Sequence, residues 1–314
     1  MEEWFVIVNP VSGRGRGGRD WPRIAELLDR AGVSYTFNFS PARYEAIDLA
    51  ESVVRMGYRK IMVVGGDGTM HEVLNGLWRQ TDVPLEELTV GVIPVGTGND
   101  WVRHVGIPHD YEAAIRVILT GRIYHQDIIR ARYQTPKGEG ERVVANIAGI
   151  GLDAEVIKAV EAAWARGRKG RGTYMKCLLK TVFTHSSQAC RVTVDGQERY
   201  YPKIFTAAVG NNRFNGGGLE QLPCALSDDG LAEVMILRSL TAGMVPRALW
   251  LLLNGRINEI VTVENFRCRR ISFDFEGGGP VELDGELVGN TAVEYEIIPR
   301  ALRVIVPREF GETK

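Results

Sequence analysis

The stretch Val63-Val64-Gly65-Gly66-Asp67-Gly68-Thr69-Met70-His71-Glu72 constrains this chain more than any other. Ahead of the glycines, Lys60-Ile61-Met62-Val63-Val64 is a short apolar run of the kind that forms a buried parallel strand. Gly65, Gly66 and Gly68 lack the Cβ atoms that stop a backbone from folding sharply or approaching a ligand closely. Met70, Val73, Leu74 and Leu77 then recur at helical spacing. The stretch reads as strand, tight bend and helix, with the helix's unpaired N–H groups and positive dipole end at the glycines. Such an end favours phosphate. Asp67 would repel that phosphate unless a cation lay between them, so it implies Mg²⁺. A bend that merely joins strand to helix is the plainer alternative, and an acid among the glycines argues against it.

Around this stretch the chain alternates strand and helix. Trp4–Val8 is a strand, followed by the Gly/Arg-rich loop Asn9–Gly18 and a helix from about Asp20 to Ala31, capped by Gly32. A second strand near Tyr35–Phe39 leads through Ser40-Pro41 into a helix that Gly57 ends. Thr89–Ile93 is a further strand, running into Pro94-Val95-Gly96-Thr97-Gly98-Asn99-Asp100, a short helix, and another helix from Tyr111 to Leu119. This βαβαβαβ order predicts a parallel sheet with helices on both faces. All its strand-to-helix loops lie on one edge, so Asn9–Gly18, Ser40, Gly65–Thr69 and Gly96–Asp100 are expected to converge. They bring glycines, hydroxyls, Arg14, Arg16, Asp67 and Asp100 to one rim, parts suited to a nucleotide triphosphate with a metal. Arg14 and Arg16 read equally as solvated loop charges or as contacts to phosphate or a lipid headgroup. A dinucleotide fingerprint fits poorly, because no acid ends the second strand, and the GxxxxGK[ST] phosphate loop is absent.

Beyond Gly121 the pattern changes to strands of mixed alternation: Arg122–Tyr133, Arg142–Ala148, Ala189–Val194, Lys203–Val209, Ala232–Leu237, Glu259–Phe266, Arg270–Phe275 and Ala292–Ile298. Helices interrupt them at Leu152–Ala165, Tyr174–Thr184 and Ala242–Leu253. The expected fold is α/β: a three-layer, parallel-sheet nucleotide-binding domain over 1–122, then an antiparallel β-sandwich-like domain over 123–314. The last strand, Leu302–Val306, either stays in the second domain or returns to the first. Asp284-Gly285-Glu286 reads as a hairpin turn and Leu226-Ser227-Asp228-Asp229-Gly230-Leu231 as a tight acidic turn. The basic cluster Arg166–Arg171 reads as a solvated turn before a core helix, or as a dock for anionic lipid.

Bulk properties exclude some classes. A net charge of −1 gives no pull toward nucleic acid, and none is expected as a partner. The longest apolar run, Ala248–Leu253, is far too short to span a membrane. Four scattered cysteines without a CxxC pair read as reduced thiols, not a zinc site. The opening Met1-Glu2-Glu3 enters a strand at once, so no signal peptide and a cytoplasmic location are expected.

The motifs NPVSG, GGDGTMHEVLNGL, PVGTGND, GIGLDAE, DDGL and DGE, in this order from Asn9 to Glu286, resemble those of the diacylglycerol kinase catalytic-domain family, specifically the soluble bacterial lipid kinases. The resemblance implies an ATP-binding α/β domain, a β-rich lipid-substrate domain and an active site between them. It implies transfer of the γ-phosphate of Mg²⁺·ATP to a lipid hydroxyl at the inner membrane face, with diacylglycerol giving phosphatidic acid as first choice. By motif match, Gly65, Gly66, Asp67, Gly68, Thr69, Met70 and His71 would hold the ATP phosphates, with Asn9, Ser40, Thr97 and Asn99 also at the nucleotide. His71 and Ser40 depart from the family's usual asparagine and threonine. Leu226, Asp229 and Leu231 match a metal site of two carbonyls and one carboxylate, and Glu286 matches the catalytic carboxylate. Asp67 would hold Mg²⁺ directly or through water. The alternatives are a kinase of a soluble dinucleotide such as NAD, or a non-catalytic lipid- or nucleotide-binding regulator. The lipid and the oligomeric state are not readable, a dimer being allowed.

Overall fold

A computed structural model describes residues 3–168 and 171–311. The chain forms two compact units: residues up to Asp127 together with those from Arg300, and Ile128–Pro299. The closing segment thus belongs to the first unit.

In the first unit β1 (Trp4–Val8), β2 (Tyr35–Phe39), β3 (Lys60–Gly65) and β4 (Thr89–Pro94) are all parallel, in the order β2-β1-β3-β4. The end of the long last strand adds to β4, also parallel, through Arg303 and Val304. The helices are α1 (Ser12–Arg30), α2 (Glu45–Arg55), α3 (Asp67–Arg79), α4 (Asp100–Val105) and α5 (Tyr111–Thr120). Strands β1 and β4 are buried throughout and β3 at all but its first residue, Lys60, as apolar runs in a sheet covered on both faces must be. Val6, Val8, Met62, Val64 and Ile93 pack with Trp21, Ile24 and Leu28 of α1.

Two boundaries differ from the sequence expectation. The coil after β1 is already helix-like at Ser12, but Gly13, Arg14 and Gly15 are left-handed, so the regular helix runs over 16–30. The helix expected from Ser40-Pro41 starts at Glu45, after a left-handed Tyr44. Its start is set by Glu72 of α3, whose carboxylate accepts from Tyr44 N–H at 3.0 Å and Ala46 N–H at 3.3 Å. A partner so distant in sequence leaves no local signal.

The chain leaves the first unit along β5 (Arg122–Thr135), followed by β6 (Gly138–Val144), β7 (Ile147–Gly151), α6 (Leu152–Ala165), α7 (Arg171–Thr184), β8 (Gln188–Val194), β9 (Gln197–Ile204) and β10 (Thr206–Gly210). A two-residue pair, β11 (Phe214–Asn215) and β12 (Leu219–Glu220), precedes β13 (Ala232–Leu237). Then come α8 (Val245–Leu253), β14 (Val263–Cys268), β15 (Arg270–Phe275), β16 (Pro280–Leu283) and β17 (Glu286–Val306). The pairings inside the second unit are antiparallel, running β14-β13-β10-β7-β16-β17, with β15, β8 and β9 continuing from β17. Ile129, Val144, Val192, Ile204, Phe273 and Val293 form one core between strands. Leu152, Val156, Val160, Leu178, Met235 and Leu251 form another beneath α6, α7 and α8. The result is the expected mixed α/β fold with a β-sandwich-like second part.

The sequence reading of one strand over Arg142–Ala148 is corrected to two, β6 and β7. Asp284 causes the break: its carboxylate accepts from the N–H groups of Ala145, Asn146 and Ile147 at 3.0–3.1 Å. It takes up donors that would otherwise carry on a ladder. Conversely, the two strands expected at Ala292–Ile298 and Leu302–Val306 are one, β17, with a left-handed Arg300 inside it. Asp284→Ala should lower the unfolding midpoint in urea by an amount equivalent to about 2 kcal/mol, with Asn recovering part of it. An unchanged midpoint would remove Asp284 as the clamp on this break.

Candidate functional site

The strand order reverses between β1 and β3, the switch point at which a parallel sheet opens a crevice beyond its carboxyl ends. The bends after β1, β3 and β4 converge there, as the alternation of elements required. Asn9 Nδ2 donates to Thr69 Oγ1 at 2.9 Å, tying the first bend to the second. Asn9 Oδ1 accepts from Val11 and Ser12 N–H, both at 3.1 Å, and so folds its own bend. Arg16 donates to the carbonyls of Val95 (2.7 Å) and Gly96 (3.3 Å), tying the first bend to the third. A Cβ on Gly66 would stand 2.9 Å from Gly96 Cα, so this approach is open only to glycine.

Asp67 has a role the sequence did not reveal. Its Oδ2 accepts from Asp100 N–H at 3.0 Å and its Oδ1 from Trp101 N–H at 3.1 Å. It therefore caps α4 from outside and locks the second bend to the third, a favourable place for a carboxylate. The capped oxygens keep further lone pairs, and carboxylate oxygen is what Mg²⁺ prefers. Nearby groups also await a ligand. Ser40 Oγ and Asn99 Oδ1 are buried and find no hydrogen-bond partner among the described residues. Gly68 and Thr97 are exposed on the rim. The rim therefore fits a phosphate-bearing ligand with a hard cation.

Three expected contacts are changed in kind. Met70 and His71 are buried, 3% and 1% exposed, and Met70 N–H is spent on Gly66 O at 3.0 Å. His71 lies beside Asn75, whose Nδ2 donates to the His71 carbonyl at 2.9 Å. Their side chains belong to the α3 packing face, which the helical spacing of Met70 with Val73 and Leu74 had indicated. Arg16 is a clamp between bends, whereas Arg14 is exposed.

In the second unit, Glu286 opens β17 directly after a two-residue turn in which Asp284 and Gly285 are left-handed and Leu283 pairs with Glu286. That is the predicted Asp-Gly hairpin. The hairpin is pinned twice, by Asp284 as above and by Glu282 Oε2, which accepts Gly285 N–H at 2.8 Å. Glu286 is nearly buried, with an Arg142 guanidinium 3.9 Å from its Oε2. A carboxylate at the head of a pinned hairpin can accept a proton from a hydroxyl brought to it.

Three acids, Glu282 and Glu233 buried and Asp153 partly exposed, were given no role in the sequence reading. Glu282 is fully buried and its carboxyl is pushed well above the ordinary range, chiefly by desolvation and then by Asp153. Asp153, at the start of α6, is pushed up to about 6 by burial, opposed by hydrogen bonds with Gln221 (2.6 Å) and Thr206. Asp153, Thr206 and Gln221 form the polar end of a cavity otherwise lined by Leu178, Val182, Met235, Leu249 and Leu252. The third, Glu233 on β13, is raised by burial and opposed by Arg267. In sequence, Asp153 stood only as part of the GIGLDAE motif, with no role of its own.

The acidic turn expected to hold a metal is engaged otherwise. Asp229 Oδ1 accepts Leu231 N–H at 3.1 Å and Oδ2 faces Arg267 at 3.0 Å. The same guanidinium reaches Glu233 at 2.9 Å and the Cys224 carbonyl at 2.7 Å. A divalent ion on Asp229 would sit against this guanidinium, so Leu226, Asp229 and Leu231 as arranged do not fit one.

The first unit carries a glycine-rich rim at the carboxyl ends of its strands, and the second, β-sandwich-like unit carries Glu286 at a hairpin and an apolar cavity. Residues 3–131 match the diacylglycerol kinase catalytic domain, and residues 146–306 match the YegS C-terminal NAD kinase beta sandwich-like domain. The chain belongs to this diacylglycerol kinase and YegS-like lipid kinase family. It is 29% identical over 305 residues to a diacylglycerol kinase of Mycobacterium tuberculosis, covering 96% of this chain and 94% of that protein. It is 26% identical to a diacylglycerol kinase of Bacillus subtilis, covering 99% of each. A crystal structure of a diacylglycerol kinase from Bacillus anthracis superposes with a TM-score of 0.72 at 20% identity, over 98% of both chains. Yeast NADH kinase shares the fold more distantly, with a TM-score of 0.53 at 10% identity, over 99% of this chain and 85% of that one.

Two outcomes follow from the acids. Asp67→Ala should lower the melting temperature as well as any nucleotide affinity, because it uncaps α4; Asp67→Asn should keep part of the stability. A variant with unchanged melting would leave Asp67 without its clamp role. The Asp153 carboxyl titrates near 3.8 when unfolded and about 6 when folded. Between those values the folded chain holds the extra proton, so stability falls as pH rises through this window and levels off above it. Asp153→Asn should remove that fall, up to roughly 3 kcal/mol, as read from urea midpoints across the window.

Proposed function

We propose that this chain transfers the γ-phosphate of ATP to a lipid hydroxyl, with diacylglycerol the first-choice acceptor and phosphatidic acid the product. The observation that carries the reading is the meeting of three glycine bends at the N-terminus of α3. Helix geometry leaves the first N–H groups of α3 without intrahelical acceptors, and together with the dipole they suit the triphosphate. Ser40 and Asn99 offer their buried oxygens to the nucleotide or its water shell. Asp67 would hold Mg²⁺, which when bound would neutralise charge on the transferring phosphoryl group.

The acceptor needs a base and a place for its chains. Glu286 would take the hydroxyl proton as the new P–O bond forms; the hairpin fixes its position before the lipid arrives. The cavity walled by α7, α8 and β13 suits an acyl chain, with Asp153, Thr206 and Gln221 at its polar end. The same lining disfavours a soluble dinucleotide, whose polar surface would strip water without replacement bonds. Among the described residues no helix is long and apolar enough to cross a membrane, so the lipid would be met from a peripheral position.

Glu286→Gln should bind ATP as the wild type does yet lose at least about a hundredfold in phosphorylation of a bacterial lipid extract supplied with labelled ATP. Mass identification of the product names the lipid. Near-wild-type turnover by the variant would remove Glu286 as the base. Label transferred to NAD in place of lipid would give the soluble-dinucleotide reading.

A further inference from the structure

Two helices wall the apolar cavity of the second unit, and both turn apolar side chains outward as well as inward. On α7, Leu178 and Val182 line the cavity, while Leu179 and Phe183 are 37% and 63% exposed. Leu179 also lines the cavity, so the cavity opens on this side. On α8, Ala248, Leu249 and Leu252 face inward, while Trp250 and Leu253 are each 52% exposed. Bulky apolar side chains left facing water on two helices that wall one cavity mark a surface made to be covered.

The charge pattern says what covers it. Lys176 and Lys180 are exposed and make no ion pair with any described residue. At 3.6 residues per turn, Lys176, Leu179, Lys180 and Phe183 fall within an arc of about 100° on α7. Cations interleaved with bulky apolar side chains on one face are the pattern of a helix lying at an anionic bilayer surface. A protein partner of the same apolar character would need no such lysines. The interior leads to the same occupant. A two-chain lipid resides in a bilayer, and it reaches an apolar cavity without crossing water only if the mouth sits on that bilayer.

We propose that the outer face of α7 and α8 is the membrane-docking surface of this protein, seating on anionic lipid so that the cavity opens to the acyl region. This rests on the lipid kinase reading for its purpose but not for its detection. The basic cluster noted in the sequence directly precedes α7; its Lys169 and Gly170 lie outside the described residues, and the cluster is not part of the proposal.

The test is flotation with vesicles of phosphatidylcholine alone and of phosphatidylcholine with phosphatidylglycerol, without nucleotide. The wild type should float with the anionic vesicles and scarcely with the neutral ones. Lys176→Glu with Lys180→Glu should reduce partitioning onto anionic vesicles by about tenfold or more. Phe183→Ala with Trp250→Ala should reduce it by roughly as much. All four positions are exposed and outside the cavity lining, so the variants should melt like the wild type and phosphorylate a short-chain, water-soluble diacylglycerol at its rate. A wild type that ignores anionic vesicles, or variants that bind them undiminished, would overturn the proposal. So would a wild-type dimer that the Phe183/Trp250 variant converts to monomer, since a second copy would then be what covers the face. A wild type that floats but phosphorylates no lipid would sink the kinase reading and leave the docking surface standing.

Discussion

The first unit depends on the close approach of backbone at three bends. Gly66 and Gly96 can lie against one another only because neither carries a Cβ, and Gly13 lies against the Val95 carbonyl for the same reason. Close packing of backbone brings like dipoles together, and side chains stabilise the arrangement. Asp67 neutralises the N-terminus of α4, Arg16 engages the carbonyls of the third bend, and Asn9 joins the first bend to Thr69. The charges that looked like ligand contacts are first of all the braces of the rim. A rim braced in this way needs little reorganisation when an anion arrives, which is the condition for strong electrostatic stabilisation of a transferring phosphate.

The second unit ties several of its acids to turns. Asp284 spends its carboxylate on three backbone donors, Glu282 one oxygen on Gly285, and Asp229 both oxygens on Leu231 and Arg267. Each fixes a turn. Asp153 has the side chains of Gln221 and Thr206 as its partners at the cavity, and burial pushes its carboxyl up to about 6. A carboxyl poised in this way can donate or accept a hydrogen bond, whereas the turn-fixing acids cannot change role without breaking a turn.

Most of the fold was legible because it is local. Parallel strands announce themselves as apolar runs, helices by spacing, and the hairpin by Asp284-Gly285. The expected convergence of bends followed from topology alone. What escaped detection depends on pairs far apart in sequence. Glu72 sets the start of α2, Arg267 takes up Asp229, and Asp284 splits β6 from β7. Met70 and His71 were assigned to the ligand because the motif contains them, although the helical period already placed Met70 on the packing face. At the site, identity of residue was readable and direction of side chain was not.

The fold alone does not separate a lipid kinase from a kinase of a soluble dinucleotide, since yeast NADH kinase shares it. Fold hosts function, and the discriminating chemistry lies in the acceptor pocket. A dinucleotide carries charge and hydrogen-bonding groups along its length, and each buried one requires a partner. The cavity beneath α7 and α8 supplies polar partners only at the Asp153, Thr206 and Gln221 end and hydrocarbon elsewhere. An acyl glycerol has that same distribution, with oxygens at one end and methylenes beyond. Helices that carry Leu, Phe and Trp on their outer side extend the hydrocarbon surface beyond the cavity, which a pocket for a water-soluble acceptor has no reason to do. In the proposed reading it is the polarity of this one cavity, more than the fold, that separates the two acceptors.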